Sequence, residues 1–512
     1  MTWSSGYVSE IDYTHGYYRE LSPLHLGLAL MLREQAPING PFRYLELGFG
    51  QGLSLNIHAA AVPGEYWGTD FNPNHAANAL ELAGASGADL RVLDDSFAEL
   101  ARRDDLPDFD VIALHGIWSW ISDENRRVIV DIARRKLKVG GTLYISYNAT
   151  PGWSASMPLR HLLLMHAELA SGEAQGILPR IDAALAFGQQ LVDAEALYFK
   201  ANAIAAERLK GMRNQNRRYL AHEYFNADWH PMPFSDVARY LDEAKLSFSA
   251  SAHLVDNIDG INLSPEQQKV IGAISHPVLR ETVRDYCVNQ QFRRDVWVKG
   301  RRDFTGPRLS QYLGDQRMML IVPAAEVPLK VFGARGEGQL QADVYRPVIE
   351  FLASDGYAPK LLADIPRRCP KVSPLQVMEV LTVLCGGGHA ALTQAPEAIE
   401  VARPRTKKLN DHVIALTVAG GGESNVLASC VTGLGIAVPP TQQLFLKSID
   451  AGRKSQAVWA EDAWNIYSAL GRRLVKDGRR LDSPEENIAE LKSQAKDFAD
   501  NRLPVLKALG VA

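Results

Sequence analysis

Tyr44-Leu45-Glu46-Leu47-Gly48-Phe49-Gly50-Gln51-Gly52 is the stretch on which the fold assignment turns. It reads as a strand over 43–47, a turn with glycines at 48, 50 and 52, and a helix that continues to about Ala61. Glycine lets a backbone approach a ligand where any Cβ would clash. The helix N-terminus adds the positive end of a peptide dipole. A dinucleotide-binding turn would read G-x-G-x-x-G and require glycine at 53, where Leu53 stands. The acidic residue just before the glycines is also atypical of such folds.

Outward from this turn, short apolar segments alternate with helical ones. Strands are expected at Glu65–Thr69, Leu90–Leu93, Phe109–Leu114 and Leu143–Tyr147. Helices are expected at Asn74–Ala83, Phe97–Arg102 and Asp123–Lys138, with an earlier one over 22–36 that Ser22 caps and Pro23 opens. This order predicts an α/β fold with a parallel sheet covered on both faces. From 155 to 215 the alternation gives way to Ala- and Leu-rich helical sequence with a break expected at Pro179. It resumes with a helix at Pro233–Ala244, a strand at Leu246–Leu254, a helix at Pro265–Cys287 and a strand at Asp295–Lys299.

The chain has 512 residues, which predicts about three or four domains. Hydrophobic residues make up 46% and charged residues 22%, so a disordered scaffold is excluded. With 55 Lys plus Arg against 59 Asp plus Glu, the composition does not suggest a nucleic-acid or membrane-surface binder. The four cysteines are scattered without a CxxC pair, which argues for reduced thiols and a cytoplasmic setting. The N-terminus lacks the apolar run of a signal peptide, and no stretch reaches the ~20 apolar residues of a membrane span. Seven of nine Trp and thirteen of seventeen Tyr fall in residues 1–300, which places the ligand-handling surfaces there.

Beyond Gly300 the pattern is strand (318–322), strand (329–333), helix (344–353), short helix (360–365), helix (374–384) and strand (390–393), which resembles a winged-helix module. Residues 301–400 carry 11 Lys/Arg and 11 Asp/Glu, so they lack a phosphate-binding footprint and suit a structural or protein-contact role. Residues 401–512 read as mostly helical. Their run Ala419-Gly420-Gly421-Gly422 has no following Lys-Ser/Thr and reads as a flexible loop rather than a P-loop.

The E-x-G-x-G-x-G signature of Glu46, Gly48, Gly50 and Gly52 resembles motif I of class I S-adenosylmethionine-dependent methyltransferases. In that family the glycine loop wraps the methionine part of the cofactor. Asp70, with Phe71 after it, ends the second strand, where a carboxylate can accept both ribose hydroxyls; a turn or helix-cap role is the alternative. Asp95, Ser96 and Phe97 follow the third strand, where the resemblance places an acidic or polar group at the adenine amine and a ring or apolar chain against the base; for Asp95 too a turn or helix-cap role is the alternative. His115 follows the fourth strand, either as a cofactor contact or as a hydrogen-bonded core histidine. The Asn/Asp-Pro-Pro-Tyr/Phe motif of base and amide methyltransferases is not at that position, which counts against DNA adenine or glutamine methylation.

Together with the Tyr-rich stretch from Gly6 to Pro23, the loop Tyr147–Trp153 and the segment His222–Pro233, the chain is similar to bacterial methyltransferases with a methyltransferase regulatory domain. That group includes the rickettsial lysine methyltransferases of outer membrane protein B. The resemblance implies five parts. These are a Rossmann-like cofactor domain at 1–153, a helical dimerisation insertion at 154–215, completion of the methyltransferase domain at 216–300, a winged-helix-like middle domain at 301–400, and a mostly helical C-terminal domain at 401–512.

The implied activity is methyl transfer from S-adenosylmethionine, most directly to a lysine of a protein such as an outer-membrane or surface protein. A small-molecule methyltransferase and a non-catalytic cofactor-binding regulator stand as alternatives. Trp118, Tyr147, Trp153 and Tyr224 are the candidate aromatic channel, with ordinary core packing as the alternative for each, and His222 or Glu223 the candidate proton acceptor, directly or through water. The histidines show no metal-ligand spacing, so no metal is expected.

Overall fold

The computed structural model describes residues 16–38, 40–170, 176–421 and 424–512. Residues 6–15 of the Tyr-rich stretch, and Gly422, lie outside the described residues. Seven strands form the central sheet: β1 (Arg43–Leu47), β2 (Glu65–Thr69), β3 (Leu90–Leu93), β4 (Phe109–Leu114), β5 (Leu137–Asn148), β6 (Leu246–Ser251) and β7 (Phe292–Lys299). Their order is β3-β2-β1-β4-β5-β7-β6. The first five are parallel, and β7 runs antiparallel to both β5 and β6. Because successive residues face opposite sides, Leu45, Ile112, Leu143 and Ile145 enter one apolar cluster. Tyr44, Val111, Tyr144 and Val296 enter the other. Burial on both faces explains why these strands are near-continuous apolar runs.

Helices α1 (Pro23–Met31), α2 (Leu53–Ala61) and α3 (Pro73–Ser86) cover the Tyr44 face, and α4 (Phe97–Arg102) and α5 (Asp123–Lys136) the Leu45 face. Helix α5 begins with the Ser122 side chain accepting the Asn125 amide, followed by Asp123 and Glu124. It ends on Arg134, Arg135 and Lys136, a charge order that suits the helix dipole.

The insertion comprises α6 (Met157–Leu169), α7 (Ile177–Asp193), α8 (Leu197–Ala201), α9 (Ala203–Arg213) and α10 (Arg217–Tyr224), which share a separate apolar cluster. Pro179 does not break this block. It lies in the first turn of α7, where no intrahelical amide donor is required. The helix expected over Pro265–Cys287 is two helices, Pro265–Gly272 and Pro277–Val288. Pro277 drives His276 out of the helical region, and the His276 ring caps the second helix instead.

Three further corrections concern the region beyond 300. Lys360–Leu361 is a strand paired with Arg317–Leu320 rather than the start of a helix. Gly336–Gln339 forms a hairpin with Lys330–Gly333, although its glycines hide the strand. The helix Pro396–Val418 crosses the expected 400/401 boundary and packs on α2 and α3. Beside it, Gln394 Nε2 donates to the carbonyls of Ala61 (2.7 Å) and Cys430 (2.8 Å). One apolar core therefore continues from the sheet into the C-terminal helices.

All nine residues of α2 are buried. A helix buried on every side needs cover on every side, and Pro396–Val418 supplies the outer half. Deletion of residues 396–512 is expected to leave α2 and α3 bare. The truncated chain should aggregate or lose its sharp thermal transition, as read by light scattering and near-ultraviolet circular dichroism. A monodisperse, cooperatively melting fragment would contradict this packing account.

Candidate functional site

The C-terminal ends of β1, β2 and β3 bring Glu46, Asp70 and Asp95 to one edge of the sheet. Gly48 has φ +73°, and a Cβ there would lie 2.5 Å from Ile117 Cδ1. Gly52 has φ +75°, and its Cβ would lie 2.5 Å from Ala79 Cβ. Gly52 thus serves the contact of α2 with α3 rather than open space for a ligand.

Asp70 is buried and already heavily engaged. Its Oδ2 accepts the Gly50 amide at 2.8 Å. Its Oδ1 accepts the Asn72 amide and meets His75 Nδ1, both at 3.1 Å. It is the turn residue between β2 and α3, while Asn72 is the helix cap. A carboxylate offers about four acceptor sites, so these contacts orient Asp70 without exhausting it. Phe71 follows, half-buried. Glu46 accepts the Tyr44 hydroxyl at 3.2 Å. Burial pushes its carboxyl up to about 8, with Asp70 adding to the rise and the Tyr44 bond opposing it.

At the next strand end Asp95 is half-buried and pairs with Arg103 at 3.0 Å. Its carbonyl accepts the Thr69 hydroxyl at 2.5 Å. Ser96 is the N-cap of α4 in a reciprocal capping box with Glu99, so its hydroxyl has a structural task. Phe97 opens α4 and packs against the Leu45-face core. His115 bonds the Tyr144 hydroxyl at 2.7 Å and stacks on Tyr18 at 4.0 Å between ring centres. Burial pushes its imidazole down to about 4, so the ring is neutral. Behind it Glu20 pairs with Arg294 at 3.5 Å. Burial favours the protonated form of Glu20, but His25, Arg294 and Arg19 outweigh it and hold the carboxyl below its ordinary range.

On the acceptor side the structure separates the expected aromatics. Trp153 stands at 6.2 Å from Tyr224 and 5.0 Å from Trp229, and Trp229 at 6.3 Å from Trp120. Tyr147 and Trp118 do not join them. Tyr147 is buried on the opposite face of β5, its hydroxyl donating to Asp295 at 2.8 Å. Trp118 is fully buried against Tyr240 in the same core. Strand alternation separates Tyr147 from Tyr144 and Ser146, which face His115 and Gly116.

His222 is buried within α10, its carbonyl accepting Asn226 Nδ2 at 2.7 Å. Its neighbour Glu223 is half-buried, and burial pushes that carboxyl up to about 7. Tyr219 is raised to about 12, by burial and then by Glu223, Tyr224 and Tyr18, with Arg208 opposing. The Arg208 guanidinium lies over the Trp153 ring at 3.9 Å. Tyr18, Glu20, Trp120, Arg208 and Tyr219 were not singled out from sequence. Only the Tyr-rich stretch from Gly6 to Pro23, which contains Tyr18 and Glu20, points toward any of them. Among the described residues no group of three or more His, Cys, Asp or Glu could hold a metal ion.

Comparison with known proteins fits this geometry. A family model described as a methyltransferase domain matches residues 45–141. A second, described as a predicted methyltransferase regulatory domain, matches residues 216–299. The uncharacterized protein sll1526 of Synechocystis is 39% identical over 521 residues, covering 100% of both chains. The uncharacterized protein RP789 of Rickettsia prowazekii is 28% identical over 306 residues, 56% of this chain and 51% of that one. Among solved structures, PKMT2 from Rickettsia typhi in complex with AdoHcy superposes with a TM-score of 0.68 at 15% identity. That superposition covers 97% of this chain and 100% of PKMT2.

The buried acids and imidazoles set a pH dependence. Glu46 keeps its proton in the folded chain up to about pH 8 and loses it near 4.5 when unfolded. The folded state then binds more protons across that window, so stability falls as pH rises through it. Glu223 and Asp285, both raised to about 7, act in the same direction. His25 and His115 are lowered to about 4 and His58 to about 3, and they favour folding as pH rises, but only below their ordinary 6.5. The melting temperature is expected to drop from pH 6.5 to pH 8. Glu46→Gln should flatten the drop and add roughly 1–3 kcal/mol at the upper end. An unchanged slope in calorimetry would show that Glu46 is not the buried acid.

Proposed function

Because the chain belongs to the class I S-adenosylmethionine-dependent methyltransferases that carry a methyltransferase regulatory domain, we propose that it methylates lysine side chains of a protein. The observation that carries this reading is the group of Trp153, Tyr224 and Trp229 rings, beside which Glu223 stands as the neighbour of Tyr224, its carboxyl raised to about 7 by burial. A lysine ammonium must lose a proton before its nitrogen can attack, since its ordinary pKa is ~10.4. A carboxyl poised near neutrality suits that transfer. The Trp153 face already carries the Arg208 cation, as a surface that receives an ammonium should. The resemblance to rickettsial lysine methyltransferases and the full-length likeness of fold to PKMT2 support the same reading.

The residues at the sheet edge fit the cofactor. The turn at Gly48 and Gly50 would hold its methionine part, Asp70 the ribose, and Asp95 with Phe97 the adenine. S-adenosylmethionine supplies a methyl group activated by its sulfonium. Asp70 also fixes the Gly50 amide, so ribose binding and the shape of the turn share one carboxylate. His115, neutral and tied to Tyr144, would close the cofactor side without adding charge. Trp153, Tyr224 and Tyr219 would exclude water around the amine, and Glu223 would take its proton.

The same reading includes a homodimer through the helical insertion. Leu169 and Leu197 are 77% and 80% exposed there, and Met165, Leu178 and Ile204 are exposed as well. Such a group of apolar side chains suits a second copy.

Incubation with radiolabelled cofactor and fractionated lysate should place label in protein, on lysine by mass spectrometry. Glu223→Gln should lower kcat more than ~10-fold with little change in cofactor affinity. kcat/KM should rise as pH rises through about 7, where Glu223 ionises, and the variant should lose that limb. Label confined to small molecules would favour a small-molecule acceptor, and full activity of Glu223→Gln would remove its role. Leu169→Glu with Leu197→Glu should convert a dimer to a monomer in sedimentation at tens of micromolar, a concentration at which ordinary dimer interfaces stay closed.

A further inference from the structure

A second cleft lies along the edge strand β6, on the segment matched by the regulatory-domain model. It consists of a polar cavity of about 320 Å3 and a more apolar one of about 750 Å3. The two share Arg33, Phe248, Arg280 and Glu281 as walls. Volumes of this size suit small molecules.

Three polar atoms in its walls are buried and have no hydrogen-bond partner among the described residues: Asp285 Oδ2, Ser249 Oγ and Trp297 Nε1. Asp285 and Trp297 are each 2% exposed. Buried polar groups are ordinarily paired, so unpaired ones in a cavity wall mark where something else completes them. Arginines and carboxylates both line the polar end, but Arg284 and Arg294 pair with Asp259 and Glu20, whereas Glu281, Asp285 and Asp295 all converge on the single guanidinium of Arg293, which leaves that cluster with an excess of acid. The shared wall is basic, because neither Arg33 nor Arg280 has an ion-pair partner among the described residues. The larger cavity is lined by Phe234, Phe248 and Trp297, with Phe234 and Trp297 stacked at 5.4 Å.

An anionic end, two unpaired cations and an aromatic wall are complementary to a molecule that carries an ammonium, a carboxylate and an apolar side chain. We propose that this cleft binds a free apolar α-amino acid. Its ammonium would meet Asp285, its carboxylate Arg280 and Arg33, and its side chain the Phe234–Trp297 stack. The proposal does not rest on the methyl-transfer reading, because cleft and glycine turn are lined by different residues.

The test is calorimetric titration of the full-length protein with L-phenylalanine and L-leucine, and with phenethylamine and 3-phenylpropionate, which each lack one charge. At least one amino acid should bind with a Kd below ~1 mM, and at least ~10-fold tighter than either half-molecule. Arg280→Gln, on a less buried residue that has no ion-pair partner among the described residues, should weaken binding at least ~10-fold with unchanged circular dichroism. Absence of heat with every amino acid up to ~10 mM would mean that ordered water completes these atoms, and the proposal would fall. Binding that ignores Arg280→Gln, or a half-molecule that binds as well as the amino acid, would overturn it equally.

Discussion

Helix α2 is buried along all nine of its residues, and much of the architecture follows from covering it. The sheet takes one side and the helix Pro396–Val418 the other. A two-layer α/β domain would leave that outer side wet, so the chain beyond residue 300 is a required layer rather than an appendage. The glycine turn opens onto the N-terminus of this same helix. Whatever steadies α2 steadies the turn, and the C-terminal helices thereby bear on the site through it.

Within the site the division of labour is electrostatic. Asp70, though buried, accepts the Gly50 and Asn72 amides and meets His75, and so holds the turn and the start of α3. Glu46, two residues before the turn, is instead held neutral by burial. Two ionised carboxylates this close would repel in a medium of low dielectric. Holding Glu46 neutral resolves the conflict. The same separation appears across the sheet edge, where Glu20 is kept charged by Arg294 and its neighbours while Glu223 is lifted toward neutrality.

The sheet was legible because its signals are local. Alternating apolar runs, the spaced glycines and Asp70 after β2 all depend on neighbours in sequence, and the strand order follows the methyltransferase pattern. What sequence concealed depends on partners far along the chain. Gly336–Gln339 forms a strand only because a hairpin pairs it. Lys360–Leu361 becomes a strand because Arg317 and Met318 lie beside it. The site divided along the same line. The loop after β5 did carry Trp153 to the aromatic group, but Tyr147 lies on the wrong side of the strand for it. Knowing that Tyr144 faces the glycine-turn side would have fixed Tyr147 on the other by period alone.

That alternation also explains how the regulatory segment joins the rest. Strand β7 enters the sheet between β5 and β6, and its consecutive arginines point to opposite faces. Arg294 reaches Glu20 on the side of His115, while Arg293 and Asp295 turn to Asp285 and Tyr147 on the other. Arg293 is buried among three carboxylates. Removing any one partner would leave charge uncompensated in the core, a strongly destabilising change. The strand cannot shift by one residue without moving Arg294 into that cluster and Arg293 toward Glu20. A strand whose two faces bear such different charge partners has one permitted register. The segment that carries the second cleft is therefore locked to the strand that bears the acceptor loop.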